Sequence, residues 1–514
     1  MFTEKDNQQI REHGIDAKII EDQIAHFKSG FPPSVLIDAA TEGNGLHILD
    51  EKEADDLIRF YEGHKGSLEI LKFVPASGAA TRMFKSLFSF LNDYSGSEAD
   101  YAKLQADQSA GSVFTFLKKL RGFAFYEDLK EKFMEVKGVS LEEAQLKRDY
   151  TSIVDVLLSE EGLGYGSLPK GLLQFHKYDG YSRTPAEEHL YEGANYAVDD
   201  KGNVKLHFTV SPEHLEKFKA HINSVKGKYE AEFNVKFEVS YSIQKKSTDT
   251  IAVDMNNEPF RNEDGSLLFR PAGHGALLDN LNDLDSDVVF IKNIDNVVPD
   301  RLKPETIKYK KVIAGLLLKY KEAIKETVSD LRAGKGLEEA IKLLNDWLGY
   351  RPAAGFDKLS TKEKTDHVIG KLNRPLRVCG VVQSEGDPGG GPFWVQAEDG
   401  SVSLQIVETA QMNLDDAQQK EVFERVTHFN PVDVVAYLKD VDGKKFDLMK
   451  HRDMNAGFVS KKSKDGKDLK AQELPGLWNG SMADWNTIFV AVPAITFNPV
   501  KSVNDLLKSQ HQPQ

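Results

Sequence analysis

The sequence predicts an α/β protein in which helices cover a largely parallel sheet. Three observations carry that reading. Strand-like runs at 203–210, 235–243 and 287–292 alternate with helix-like segments at 185–197 and 212–224, the rhythm of strand–helix–strand crossovers. The apolar run Leu71-Lys72-Phe73-Val74 passes through small residues into a segment where Met83, Phe84, Leu87, Phe88 and Leu91 recur at helical intervals. Short strands at 377–383, 402–408, 432–438 and 486–493 then add an α+β part on the C-terminal side.

In chain order, Ile19, Ile20, Ile24 and Phe27 fall at near-helical spacing and lead to Phe31-Pro32-Pro33 and a loop with Gly43, Asn44 and Gly45. With a helix at 51–63, residues 1–65 read as an N-terminal helical extension. The α/β core then runs over 66–375. It contains two helical insertions, 94–165 and 304–373, the first marked by Phe114 to Leu120, Leu129 to Val136 and Leu141 to Leu158. Residues 376–514 form the C-terminal α+β part. No repeat recurs at a fixed period.

Bulk properties narrow the function. A chain of 514 residues is long enough for two or three units at about 150 residues each. Its hydrophobic share of 40% beside 28% charged residues is that of an ordinary globular protein. The opening Met1-Phe2-Thr3-Glu4-Lys5-Asp6 lacks a secretory signal, and no stretch approaches the roughly 18 apolar residues of a spanning helix. A cytoplasmic protein away from the membrane is expected. The single cysteine, Cys379, forms neither an internal disulfide nor a cysteine metal cluster and reads as a packed hydrophobe. A net charge of −14 repels nucleic acid, because polyanion binding needs clustered cations. A small phosphorylated substrate stays open, provided local cations or a metal make one cleft positive.

The turn Ala76-Ser77-Gly78-Ala79-Ala80-Thr81-Arg82 follows a strand and precedes a helix. Small side chains let backbone approach a phosphate, a helix N-terminus offers free N–H groups, and Arg82 adds a cationic fork. Such turns also serve packing alone, and this one has neither Walker nor three-glycine spacing. In Leu168-Pro169-Lys170-Gly171 the flanking residues fix the loop, so that the Lys170 ammonium can meet a transferring phosphoryl group. Phe269-Arg270-Pro271-Ala272-Gly273-His274-Gly275 frees backbone groups for a flat base or sugar. The strand Val288 to Lys292 delivers Asp295 at its C-terminal end, where open α/β sheets bind ligands and carboxylates commonly hold Mg²⁺.

Taken in order, Thr81-Arg82, Pro169-Lys170-Gly171, Pro271-Ala272-Gly273-His274-Gly275 and Asn293-Ile294-Asp295-Asn296 resemble the signature series of the UDP-glucose and UDP-N-acetylhexosamine pyrophosphorylases. Ser403 to Glu408 resembles that family's Val-Glu pair on a sugar-binding strand. The resemblance spans roughly 70–300 and extends to 375–495. The whole chain also resembles a bacterial domain of unknown function, family 4301.

The resemblance implies a Rossmann-like mixed sheet of the nucleotide-diphospho-sugar transferase type. It implies an enzyme joining a nucleoside triphosphate, UTP by analogy, to a sugar 1-phosphate with loss of pyrophosphate. Ala76, Ser77, Gly78, Ala79, Ala80 and Thr81, with Gly273, His274 and Gly275, would then bind the nucleotide. Arg82 and Lys170 would be catalytic, Asn296 and Glu408 would face the sugar, and Asp295 would hold Mg²⁺. The partners are small molecules, and nothing in the pattern specifies an oligomeric state.

The chain also departs from the family. Ser77 and Ala80 stand where the family turn has glycines, and their β-carbons narrow the room for phosphate. The family's downstream lysine has no counterpart near Pro475-Gly476-Leu477-Trp478-Asn479-Gly480-Ser481-Met482, which leaves Lys245, Lys246 or Lys470 to replace it. A non-catalytic nucleotide-sugar-binding protein is therefore the alternative. A glycosyltransferase of related fold is a third, although Asn293-Ile294-Asp295 holds only half of an Asp-x-Asp motif. Gln244 to Thr250 is a polar loop after a strand. Gly386 to Pro392 reads as either a lid or a tight backbone crossing beside Trp394, and His428-Phe429-Asn430-Pro431 and Trp478-Asn479-Gly480 offer aromatic faces and amides.

Overall fold

A computed structural model describes residues 2–78, 80–384, 386 and 389–513. Ala79 of the small-residue turn and Asp387 and Pro388 of the glycine-rich loop lie outside the described residues. The fold is mixed α/β, and the chain gathers into two compact units. The first comprises Met1–Phe73, Ser242–Ile291 and Tyr309–Ala494; the second comprises Val74–Tyr241, Lys292–Lys308 and Ile495–Gln514. These groupings cut across the expected blocks 1–65, 66–375 and 376–514, because the chain crosses between units inside the strands Ile70–Pro75, Lys236–Ile243 and Val288–Lys292.

In the first unit the strand order is Thr41–Glu42, Gly45–His47, Asn486–Ala491, Leu376–Gln383, His428–Tyr437, Val288–Lys292 and Ile70–Pro75. Leu376–Gln383 runs parallel to Asn486–Ala491 and antiparallel to His428–Tyr437, while Val288–Lys292 runs parallel to Ile70–Pro75. Gly45–His47 also runs parallel to Asn486–Ala491 and to Thr41–Glu42, so the sheet is mixed, with parallel pairs outnumbering the antiparallel one among these strands. Strands buried on both faces read as unbroken apolar runs. Phe73, Val289, Ile291, Val381, Val434 and Phe489 accordingly share one core.

The N-terminal extension is not purely helical. Helices form at Glu4–Glu12, Ala17–Ser29 and Glu51–His64, but between them Val35–Ala39 pairs antiparallel with Gly391–Gln396. Leu36 and Ala39 are buried while Val35 and Ile37 face outward, and a register shift between Leu36 and Asp38 spaces the two buried residues three apart. The glycines beside that partner strand serve close packing. A β-carbon on Gly390 would lie 2.4 Å from Ile406, and one on Gly389 2.9 Å from Phe429, which favours the backbone crossing over the lid.

The second unit has a helical core and a strand–helix core. Helices Val113–Lys118, Tyr126–Lys137, Leu141–Leu146 and Tyr150–Leu158 bury Phe116, Phe123, Phe125 and Phe133 together with Val500, Val503 and Leu506. The segment Ile495–Gln514 thus packs with the helical insertion. It is pinned further by His511, whose Nδ1 lies 2.9 Å from His176 Nε2, while His176 Nδ1 faces Glu188 at 2.8 Å, all three buried. Strand Asn203–Val210 and helices Pro185–Tyr196 and Leu215–Phe233 enclose Leu190, Leu206, Phe208, Phe218 and Ile294. Among the described residues no helix is long and apolar enough to cross a membrane.

Candidate functional site

In the second unit three backbone hydrogen bonds bring the sequence motifs together. Ala76 donates to the Thr209 carbonyl at 2.9 Å, Ile294 donates to the Pro75 carbonyl at 3.3 Å, and Ala80 donates to the Leu168 carbonyl at 3.3 Å. The small-residue turn is therefore clamped on one side to the Asp295 loop and on the other to the Lys170 loop. Ala76 and Ala80 spend their N–H groups on this scaffold, and both side chains are buried. The N–H groups of these two residues, expected to face phosphate, are thus already engaged by the scaffold. The Ala80 methyl, expected to crowd a phosphate, packs in the helical core instead.

Among the described residues of the turn, Ser77, Gly78 and Thr81 remain open to a ligand. Gly78 is exposed, and a β-carbon placed on it meets nothing within 4 Å. The helix expected from Arg82 starts later. Ala80–Arg82 forms one 3₁₀ turn, and the α-helix proper is Lys85–Asp93. Arg82 is exposed and has no ion pair among the described residues. A cavity of about 350 Å³ opens beside Leu168, with Lys217 and Ser167 in its wall.

Lys170 opens a 3₁₀ turn, Lys170–Leu172, behind the extended Pro169. Its ammonium lies 2.9 Å from Asp295 Oδ2 and donates at 2.8 Å to the Val500 carbonyl. Val500 N–H in turn donates to the Asp295 carbonyl at 3.2 Å, and the Lys501 ammonium stands 3.9 Å from Asp295 Oδ2. Gly171 is required by packing, because a β-carbon there would lie 2.8 Å from the Phe218 ring and 3.2 Å from Ile294. The Asp295 loop is braced from helix Pro185–Tyr196, since His189 Nε2 reaches the carbonyls of Asn293 at 3.2 Å and Ile294 at 3.3 Å. Asn296, expected at the sugar, instead accepts from the Asn498 amide at 2.9 Å and is buried. Its amide ties down the segment carrying Val500 and Lys501.

In the first unit, Gly273 takes φ +79°, and a β-carbon on it would meet Glu473 Oε2 at 2.8 Å. One on Gly275 would stand 2.0 Å from the Pro475 carbonyl oxygen, so only glycine fits. Both glycines bring this loop against 473–477. His274 Nδ1 accepts the Leu477 N–H at 2.9 Å, which places the ring proton on Nε2, 3.8 Å from Glu408 Oε1. The imidazole stacks on Trp478 with centroids 4.1 Å apart and planes at 10°. Burial lowers the His274 pKa to about 4, so the ring is neutral at pH 7. Burial pushes the Glu408 carboxyl up, opposed by a hydrogen bond from Trp478. His274, Trp478 and Glu408 thus form an aromatic face with a carboxylate at its edge.

Beneath this face lies Arg377, fully buried, which donates to the Trp478 carbonyl, to Thr487 Oγ1 at 2.8 Å and to Gln405 Oε1 at 3.2 Å. It has no carboxylate partner among the described residues, and burial lowers its pKa.

The family model described as a domain of unknown function, DUF4301, matches residues 3–512. The chain belongs to that family. Among curated proteins none matches. Among solved structures, this DUF4301 chain is similar to UDP-glucose pyrophosphorylase from Leishmania major, with 12% identity, 99% of this chain and 79% of that chain covered, and a TM-score of 0.44. A UDP-glucose phosphorylase from Trypanosoma brucei gives 14% identity, 98% and 77% coverage and 0.45. A mutant of the Leishmania major enzyme in complex with UDP-glucose gives 12% identity, 99% and 79% coverage and 0.42. These likenesses carry no chemistry to the DUF4301 chain.

The cations offered in place of a downstream lysine are partly committed. Lys245 pairs with Asp283 at 2.7 Å, and Lys470 donates to Asn257 Oδ1. Lys501 went unnoticed in the sequence because nothing local marks it; it reaches Asp295 only through the fold. No group of three or more His, Cys, Asp and Glu side chains suited to a metal occurs among the described residues. Asp295 Oδ1 makes no hydrogen bond there and is the one open carboxylate oxygen of the cluster. Mg²⁺ is commonly held by one or two carboxylates, with phosphates and waters completing its shell, so this donor set fits an ion that arrives with a phosphorylated substrate.

Proposed function

We infer that the chain is a sugar-phosphate nucleotidyltransferase. An oxygen of a sugar 1-phosphate attacks the α-phosphorus of a nucleoside triphosphate, the bond to the β-phosphate breaks, and pyrophosphate leaves. The observation that carries the reading is the Lys170–Asp295 contact of 2.9 Å, clamped by backbone hydrogen bonds to the open turn at Ser77, Gly78 and Thr81. Phosphoryl-type transfer asks for in-line positioning and charge stabilisation more than for covalent help. Lys170, Arg82 and Lys501 are the cations for that role, and the amides of Ser77, Gly78 and Thr81 suit phosphate oxygens. When bound at Asp295, Mg²⁺ would neutralise phosphate charge. The His274–Trp478 stack and Glu408 suit a flat base or a sugar with free hydroxyls. Release of pyrophosphate from a panel of triphosphates and sugar 1-phosphates tests the proposal; silence across the panel overturns it.

The second reading, a nucleotide-sugar-binding protein without turnover, is favoured by the commitment of Lys245 and Lys470 to Asp283 and Asn257. Calorimetric binding of a nucleotide-sugar without exchange of labelled pyrophosphate would select it.

A further inference from the structure

The first unit holds a second cleft, of about 340 Å³, that nucleotidyl transfer does not use. Its wall includes Asn44, Asn345, Asp346, Trp347, Arg351 and Trp394. The segment Leu343–Trp347 is a π-helical turn, closed by Leu348 N–H donating to the Leu343 carbonyl at 3.2 Å. Such turns interrupt regular helices and recur at functional sites. Here Leu344 and Leu348 are buried while Asp346 and Trp347 turn outward.

Trp347 is 52% exposed, unusual for the largest apolar side chain. It is nonetheless held in place, edge-on to Tyr320 at 5.6 Å, and Tyr320 OH contacts His47 Nε2 at 3.4 Å. Opposite, the Arg351 guanidinium lies over the Trp394 ring at 3.8 Å and donates to Asn44 Oδ1 at 3.4 Å. The Trp394 indole N–H is used by the Asn44 carbonyl at 3.1 Å. The groups left free include donors of Arg351 and acceptors of Asp346. Asn345 Oδ1 is buried without a hydrogen-bond partner, and the Asp346 carboxylate has neither hydrogen bond nor ion pair among the described residues.

We propose that this cleft binds a neutral saccharide, its ring packed on Trp347 and its hydroxyls donating to Asp346 while accepting from Arg351. A polyol, whose hydroxyls both donate and accept, matches a lining that offers a carboxylate and a guanidinium beside an aromatic face. Arg351 disfavours a cation, and Asp346 disfavours an anion. The site is independent of the proposed transfer: Leu404 in its wall and Glu408 are separated by about 13 Å of extended strand.

The full chain is titrated with glucose, N-acetylglucosamine and maltotriose, followed by tryptophan fluorescence and calorimetry. At least one sugar binds saturably, Trp347→Ala and Asp346→Ala each weaken it about tenfold, and Lys170→Met leaves it unchanged whether or not transfer activity exists. Absence of binding up to about 10 mM of each sugar overturns the proposal. So does unaltered binding by Trp347→Ala, or a dimer that Trp347→Ala dissolves, which would give the cleft to a second copy. Trp347 is exposed, so its substitution leaves folding intact, as circular dichroism would confirm.

Discussion

Lys170 and Asp295 meet at 2.9 Å across 125 residues of chain, and Val500 closes the arrangement by accepting from the Lys170 ammonium and donating to the Asp295 carbonyl. An ammonium held this way is positioned without being exposed to random solvation, which is what charge stabilisation of a leaving group requires.

Lys170→Met should reduce pyrophosphate release by about 10²–10³-fold, the usual range for one preorganised charge donor. Stability should fall by about 1–3 kcal/mol, because Asp295 and the Val500 carbonyl lose their donor. Urea titration reads the second number. A fall in stability with full turnover would make the pair purely structural.

Gly78→Ala separates scaffold from site. The added β-carbon meets nothing within 4 Å, so unfolding free energy should shift by less than about 0.5 kcal/mol. If a phosphate seats against this backbone, the KM for the triphosphate rises. An unchanged KM would place the phosphate elsewhere.

Arg377→Met should destabilise the first unit by about 2–4 kcal/mol, since the Trp478 carbonyl, Thr487 and Gln405 lose one shared donor while a buried charge is relieved. Arg377→Lys should not restore the loss, because a single ammonium cannot reach three acceptors set around a planar fork. Near-ultraviolet circular dichroism would report the accompanying change at Trp478. Recovery by lysine would contradict this.

Acid should destabilise the fold. Burial lowers His274 to about 4 and His511 to about 3, so the unfolded chain takes up protons that the folded chain refuses. The contribution is fully present above the ordinary histidine value near 6.5 and is lost as pH falls from there toward 4 and then 3. Urea midpoints at pH 7, 5.5 and 4 should decline in that order, with a shallower decline in His511→Gln. A flat profile would mean these rings titrate normally.

The strands at 203–210 and 288–292 were legible because residues buried on both faces leave runs of β-branched and aromatic side chains. Val35–Ala39 was not, because its two buried residues, Leu36 and Ala39, are three apart around a register shift while Val35 and Ile37 face outward. Within the candidate site, Lys170 and Asp295 stand out through their neighbours Pro169, Gly171 and the apolar strand before the carboxylate. Val500 and Lys501 carry no such local mark: their roles arise from a carbonyl and an amine delivered by tertiary packing. Ala80 shows the opposite case, a residue whose position in a motif suggested ligand contact while its methyl belongs to a hydrophobic interior.

The second unit is assembled from three separate stretches, the last of them Ile495–Gln514. That stretch is translated after both of the others, yet it supplies the carbonyl that receives Lys170. Nascent chains interrupted before residue 495 would leave the ammonium without its acceptor and Val297 without Val500 and Val503 in the shared interior. This arrangement therefore forms only once synthesis has passed residue 495, and a product cut short before it would display apolar surface to chaperones and proteases.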